Sequence, residues 1–370
     1  MAGRTRGVAV LGLAAAWLLA AGCSGFIERS TEETPHMSME EKITSRMSAP
    51  PRKVMVGTVL KNFWGESTDL DDRLPVLCDL IDQVAMEAKR KYPDQGLDLV
   101  VLPEEALTGG RVCRAHERSV PLEGRVLDTL GAKAREHGTY LVAPMAMVDD
   151  AENEVYSNAA PLIGRDGEVV GIYRKVHPVS YVGTDELEEG MTPGTEFPVF
   201  DCDFGRLGIQ ICWDMSYPEG WEVQGRKGAE IIAWPTAAAQ TMLPRYRALE
   251  HGYYIVSSTG GDNVSVFDPA GLILAQVTNP ENVLVQQIDL SYVVLHWSQQ
   301  LRGGRGFTDI YGDRVGYNWS DRELSGVFWS NDPDVTIGQM AEELGVKPYH
   351  FEVERSRRLQ DKVRGGPPER

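Results

Sequence analysis

The stretch from Gly205 to Glu219, GRLGIQICWDMSYPE, constrains this chain more than any other. Leu207 to Ile211 is a short, mostly apolar run, with Gly205 before it and Gly208 inside it. Such a run predicts a buried strand. It stops at Cys212; polar residues, aromatics and Pro218 follow, and then a segment able to start a helix. An α/β protein sets reactive side chains at strand ends of this kind, facing a turn. Cys212 also fits a plainer role, since free cysteine often packs as a small buried hydrophobe. Other strand ends bear on that choice.

The spacing predicts strands over Val54–Leu60, Leu97–Leu102, Tyr140–Met147, Ile231–Trp234, Tyr253–Ser258, Val264–Phe267, Leu272–Val277 and Val283–Ile288. A hairpin is expected from Val155–Ile163 and Val169–Lys175 across Arg165-Asp166-Gly167. Helical spacing covers Pro75–Lys91, Leu122–His137 with Gly138 as its stop, Trp221–Lys227 and Leu243–His251. Single helices alternating with strands, interrupted by hairpins, predict an α/β sandwich with mixed sheets. No internal repeat is apparent. At 370 residues and 42% hydrophobic, the chain can bury a sizeable core. A net charge of -17 argues against a nucleic-acid surface.

The N-terminus reads as a targeting segment. Arg4 and Arg6 precede an apolar run, Val8–Leu19, too short to span a bilayer comfortably. Ala20, Ala21 and Gly22 then lead to Cys23, which is similar to a bacterial lipoprotein signal. That resemblance implies acylation of Cys23, export to the cell envelope, and anchoring at the outer membrane or the periplasmic face. An ordinary secretory signal cut nearby is the alternative. Residues 24–50 read as a flexible tether. A folded domain is expected over 51–290. A C-terminal extension over 291–370 is expected to pack on the core or a second subunit, with a frayed tail from Arg355.

Three strands end on side chains able to do chemistry: Glu104 after LVVLP, Lys175 after IYR, and Cys212 after GIQI. Singly, the Glu and the Lys read as solvated turn residues. Together they suit one reaction. A Cys thiolate attacks an amide-type carbonyl, a carboxylate moves the protons, and an ammonium stabilises the oxyanion. The product of the first half is a thioester, cleaved by water.

The segments LVVLPEEALTGG, YRKVH and GRLGIQICWDMSYPEG, in this order, resemble the nitrilase superfamily of carbon–nitrogen hydrolases. NAAPLIGRDGEVVGIYRK, AWPTA, RALEHGYYIVSSTGG and VFDPAGLIL are weaker matches, and the likeness runs from Val54 to Leu290. It implies a four-layer αββα sandwich and pairing into homodimers or higher homo-oligomers. It implies Glu104 as base, Lys175 as oxyanion cation, Cys212 as nucleophile and the Trp213 N–H as a second oxyanion donor. A further supporting Glu is expected before Pro193-Gly194. Glu186 is favoured over Glu188. Ser216 stands where many members carry an Arg, which weighs against a carboxylate-bearing substrate.

The expected activity is therefore hydrolysis of a small-molecule amide or N-carbamoyl (ureido) compound with release of ammonia. No cofactor and no metal are expected, since neither H-x-x-E-H nor C-x-x-C occurs. Alternatives are a nitrilase acting on a nitrile, acyl transfer to an amine, and a catalytically silent, lipid-anchored binding protein. A Cys–His hydrolase using His177 or His251 is another. His177, two residues past Lys175, is read first as a supporting polar residue. Pocket size is left to the loops Ser180–Thr195 and Gly109–Val120.

Overall fold

A computed structural model describes residues 38–369 apart from Arg111, Val182 and Glu281. The targeting segment and Cys23 lie outside the described residues. Helix α1 (Met39–Ser48) leads into strand β1 (Lys53–Val59), helix α2 (Leu70–Lys91) and strand β2 (Leu99–Val101). A short helix α3 (Ala115–Arg118) and helix α4 (Arg125–His137) precede β3 (Tyr140–Val142), β4 (Met145–Asp150), β5 (Val155–Ile163) and β6 (Val169–Arg174). Then come β7 (Val199–Cys202), β8 (Gly205–Ile209), α5 (Pro218–Arg226), β9 (Ile231–Thr236), α6 (Met242–His251) and β10 (Tyr254–Thr259). Strands β11 (Asn263–Phe267), β12 (Ile273–Thr278) and β13 (Val283–Asp289) complete the central sheets.

One sheet runs β13-β1-β2-β3-β5, with β4 and β6 both paired to β5; the other runs β12-β11-β10-β9-β8-β7. The strands β1, β2 and β3 are parallel, and so are β8, β9 and β10. Each trio is joined by helices, as parallel strands require. Alternate residues of these strands face opposite ways. Val54, Val56, Leu99 and Val101 pack against Leu207, Ile209, Ile231 and Ala233 of the other sheet. Met55, Val100 and Leu102 turn instead to Leu77, Ile81 and Val84 of α2 and to Leu130 of α4. Ile232, Trp234 and Ile255 turn to Trp221 and Ala248 on α5 and α6. Both faces of each sheet are covered, which explains the continuous apolar runs. The result is the expected helix–sheet–sheet–helix layering.

Helix boundaries follow local chemistry. Asp69 caps α2 through the Asp71 N–H, and Lys89, Arg90 and Lys91 sit in its last turn, favourable to the helix dipole. Gly138 ends α4 at φ 60°, a left-handed conformation that glycine adopts without strain. The single strand expected over Tyr140–Met147 is split in two around Ala143-Pro144.

Two expectations are corrected. Part of the presumed tether is α1, opened by a reciprocal Ser38–Glu41 capping box. It is held by tertiary contacts. Arg46 donates to the Gly252 carbonyl at 2.7 Å and stacks on the Tyr292 ring, and Lys42 donates to the Gly225 carbonyl at 2.7 Å. Those carbonyls lie at the C-terminal ends of α6 and α5, where a cation is favoured. The tail is not frayed from Arg355 either. After β14 (Tyr292–His296), α7 (Arg305–Tyr311), β15 (Val315–Ser320), β16 (Ser325–Ser330) and α8 (Ile337–Leu344), helix α9 (Tyr349–Arg364) runs on to a left-handed Gly365. Strands β14, β16 and β15 form a third sheet with its own core of Val293, Leu295, Phe307, Phe328 and Met340, against which Met47 of α1 packs.

Candidate active site

Strand ends from both central sheets meet at one point. Beyond β2 the chain passes Leu102 and Pro103 into Glu104. Glu104 Oε1 accepts from Lys175 Nζ at 2.8 Å and from Asn158 Nδ2 at 3.0 Å; Oε2 accepts from the Ala237 N–H at 3.0 Å. Lys175 directly follows β6, and its own N–H extends the ladder to the Asn158 carbonyl at 2.8 Å. Its ammonium also donates to Glu188 Oε1, which accepts the Val179 N–H at 3.0 Å as well. Asn158, on β5, bridges the two carboxylates, reaching Glu188 Oε2 at 3.1 Å. The orientation of its amide follows, since the flipped form would set a carbonyl oxygen against two carboxylates.

Cys212 opens a 3₁₀ turn, Cys212–Ser216, just past β8. Its φ is 42°, a conformation that non-glycine residues rarely adopt and that costs on the order of 1–3 kcal/mol. The buried carboxylate of Asp214 holds the turn. It accepts the Ile211 N–H at 2.9 Å, the Tyr173 hydroxyl at 2.7 Å and the His177 N–H at 2.9 Å. Trp221 Nε1 donates to the Asp214 carbonyl at 2.9 Å. The Trp213 N–H falls in the first turn, where amides have no intrahelical acceptor.

Burial and charge act against each other here. Burial works to lower the Lys175 pKa, but Glu104 and Glu188 raise it well above its ordinary value, so the ammonium is charged. Burial pushes the Cys212 thiol up to about 12. Glu104 adds to the rise, while Lys175 and the nearby Ala237 N–H and Thr236 hydroxyl oppose it. The thiol is therefore neutral at rest. Burial likewise pushes Glu105 up to about 7, against the pull of Arg118, whose guanidinium lies 3.1 Å away.

The three strand-end residues expected to act together, Glu104, Lys175 and Cys212, line one cleft of about 440 Å³. The fourth does not match the expectation. Glu186 is exposed and paired with Arg114, whereas Glu188 is buried on Lys175. Spacing to Pro193-Gly194 fails because Leu187 pairs back to Ser180 and the chain then turns at positive φ through Glu188 and Glu189, which carries Glu188 inward. His177 is bonded through Nδ1 to Asp214 at 2.9 Å and through Nε2 to Glu219 at 3.2 Å, and its ring stacks on Tyr217. His251 lies on α6 beside Glu250 and Tyr253. Both ring nitrogens of His177 are thus engaged by carboxylates, and neither histidine lines the cleft. The sequence reading missed Asn158 and the Ala237 N–H. Both belong to segments matched to the superfamily, but a strand Asn and a backbone amide carry no chemical signature.

The family model for carbon–nitrogen hydrolases matches residues 72–295. An omega-amidase NIT2-B from Xenopus laevis is 26% identical over 245 residues, covering 60% of this chain and 84% of that protein. A citrullinase from Francisella tularensis is 32% identical over 134 residues, covering 36% of this chain and 46% of that protein. In fold, the chain is similar to Nit3 of Saccharomyces cerevisiae, a member of branch 10 of the nitrilase superfamily. The TM-score is 0.56 at 24% identity, over 64% of this chain and 90% of that one.

A thiol with a pKa near 12 gains thiolate steadily as pH rises. Alkylation of Cys212 by iodoacetamide, followed by peptide mass spectrometry, should accelerate by about tenfold per pH unit between about pH 7 and pH 10. A plateau well below about 8.5, the value of an ordinary free cysteine, would instead mean that the site stabilises a thiolate at rest.

Proposed function

The chain belongs to the carbon–nitrogen hydrolase family, and from that premise we propose that it hydrolyses a small amide or ureido compound through a Cys212 thioester, releasing ammonia. The observation that carries this reading is the buried Lys175 ammonium, bonded to Glu104 and Glu188 in the same cleft as the Cys212 thiol. The relatives named omega-amidase and citrullinase support an amide or ureido group as the bond cleaved.

In the proposed sequence, Glu104 takes the thiol proton as sulfur attacks the carbonyl carbon. Because the thiol is neutral at rest, this transfer accompanies attack. The oxyanion is met by the Lys175 ammonium and the Trp213 N–H. Glu104 then protonates the departing nitrogen, the C–N bond breaks, and ammonia leaves the thioester. Water attacks the thioester carbonyl, giving its proton to Glu104, which returns it to sulfur as the C–S bond breaks. Glu188 and Asn158 are positioning residues: they fix the ammonium and the Glu104 carboxylate.

Purified protein should release ammonia from at least one class among aliphatic amides, N-carbamoyl amines and nitriles, and Cys212→Ala should abolish it. Glu188→Gln should lower kcat on the order of 10²-fold through misplacement of Lys175, while Glu186→Gln should stay within about twofold of the parent. Full turnover by Cys212→Ala would refute the mechanism. Release confined to nitriles would assign a nitrilase.

We also propose that Cys23 is acylated and anchors the protein at the cell envelope, supported by Arg4, Arg6, the apolar run Val8–Leu19 and the small residues before Cys23. Cys23→Ser should move the protein from the membrane to the soluble fraction. Homo-oligomerisation is proposed as well. Met242, Leu243, Tyr246 and Leu249 are exposed at helical spacing on α6, an apolar stripe that a second copy would cover. Light scattering should give a multiple of the chain mass for the parent and a smaller one for Met242→Glu with Tyr246→Glu.

A further inference from the structure

Three large hydrophobic side chains are exposed around the mouth of the Cys212 cleft: Trp64 at 67%, Val112 at 67% and Tyr181 at 48%. Single exposed hydrophobics are ordinary, but three lining one cavity are a binding surface. We propose that the substrate carries an uncharged apolar group, an aryl or alkyl chain, across the carbonyl from the departing nitrogen, and that Trp64, Val112 and Tyr181 select it. This rests on the reading of Cys212 as a nucleophile toward carbonyl carbon.

The backbone holds Trp64 in place. Its N–H donates to Asn62 Oδ1 at 2.8 Å, and the next amide, of Gly65, donates to the Gly110 carbonyl at 2.8 Å. Arg73, 1% exposed, ties the same two loops together. It donates to the Ser67 carbonyl at 2.7 Å, the Gly109 carbonyl at 2.8 Å and the Ala106 carbonyl at 2.7 Å. Gly110 has φ +145°, and a Cβ there would lie 2.9 Å from the Glu66 carbonyl oxygen. So close an approach needs glycine. The indole is thus presented to the cleft by a framed loop.

The charges of the described lining residues weigh against an anionic substrate. Among the described lining residues, each cation already holds carboxylate: Lys61 pairs with Glu66, Arg118 with Glu105 and Glu189, and Lys175 with Glu104 and Glu188. At Arg118 or Lys175 a substrate carboxylate would have to displace a buried or partly buried carboxylate and leave it unpaired, whereas Lys61 pairs with an exposed Glu66. The cleft, at about 440 Å³, also has the size of pockets that enclose more than an amide head group.

Aldehydes test this without turnover. The Cys212 thiol adds across the aldehyde C=O: sulfur bonds to carbon, the thiol proton ends on oxygen, and a reversible hemithioacetal forms that blocks iodoacetamide. Protection of Cys212 is read by peptide mass spectrometry with butanal, 3-phenylpropanal and succinic semialdehyde. 3-Phenylpropanal should half-protect at a concentration at least about tenfold below butanal, and succinic semialdehyde should be the weakest. Trp64→Ala and Tyr181→Ala should bring the phenylpropanal-to-butanal ratio toward one, and Trp64→Phe should keep most of it. Succinic semialdehyde matching 3-phenylpropanal, or a ratio unchanged in both alanine variants, would overturn the substrate assignment and leave the thioester mechanism standing. Protection by no aldehyde, with Cys212 still alkylated by iodoacetamide alone, would overturn both.

Discussion

The ammonium of Lys175 is buried, and the centre of the molecule is built so that it can stay charged. An unpaired ammonium at this depth would cost several kcal/mol. Glu104 and Glu188 remove that cost, and Asn158 keeps both carboxylates turned toward the lysine. The partners come from distant parts of the chain: the end of β2, strand β5, the end of β6 and the turn at Glu188. The Ala237 N–H, past the end of β9, holds the remaining oxygen of Glu104. The network therefore forms only when both central sheets are packed face to face. Cross-sheet bonds from the Thr58 hydroxyl to the Ser257 carbonyl at 2.5 Å, and from the Ser258 hydroxyl to the Val59 carbonyl at 2.9 Å, join the sheets.

The same burial sets the character of Cys212. Burial disfavours a thiolate at rest, Glu104 adds to that effect and Lys175 opposes it, so the thiol keeps its proton. On the proposed mechanism this divides the labour. Lys175 is kept for the oxyanion, and Glu104 removes the thiol proton only as the carbonyl is attacked. The strained φ of Cys212 persists because Asp214 over-determines the turn, gathering hydrogen bonds from Ile211, Tyr173 and His177. His177 thereby supports the Cys212 backbone from outside the cleft.

Helix α1 and the third sheet extend the core. Asn318 of β15 donates to the buried Asp268 at 2.6 Å, at the turn between β11 and β12, and α1 places Lys42 and Arg46 on the C-terminal ends of α5 and α6. The segments before and after the hydrolase core thus brace the layer behind Cys212.

The amino-acid sequence alone determined the layered α/β architecture, because strands buried on both faces must be apolar without interruption and helices must carry one apolar stripe. It also marked Glu104, Lys175 and Cys212, since each breaks an apolar run at its end with a side chain able to do chemistry. It could not separate Glu188 from Glu186. Two glutamates two residues apart in a loop look alike, and only the positive-φ turn carries one inward. Asn158 was invisible for a related reason: a strand asparagine shows no preference until its neighbours arrive. Helix α1 hid behind a polar composition, although Ser38 and Glu41 marked its start, because its stability comes from carbonyls and a tyrosine more than 180 residues away. Local pattern specifies elements; which charges share a buried site is decided by the packing of sheets that the pattern does not encode.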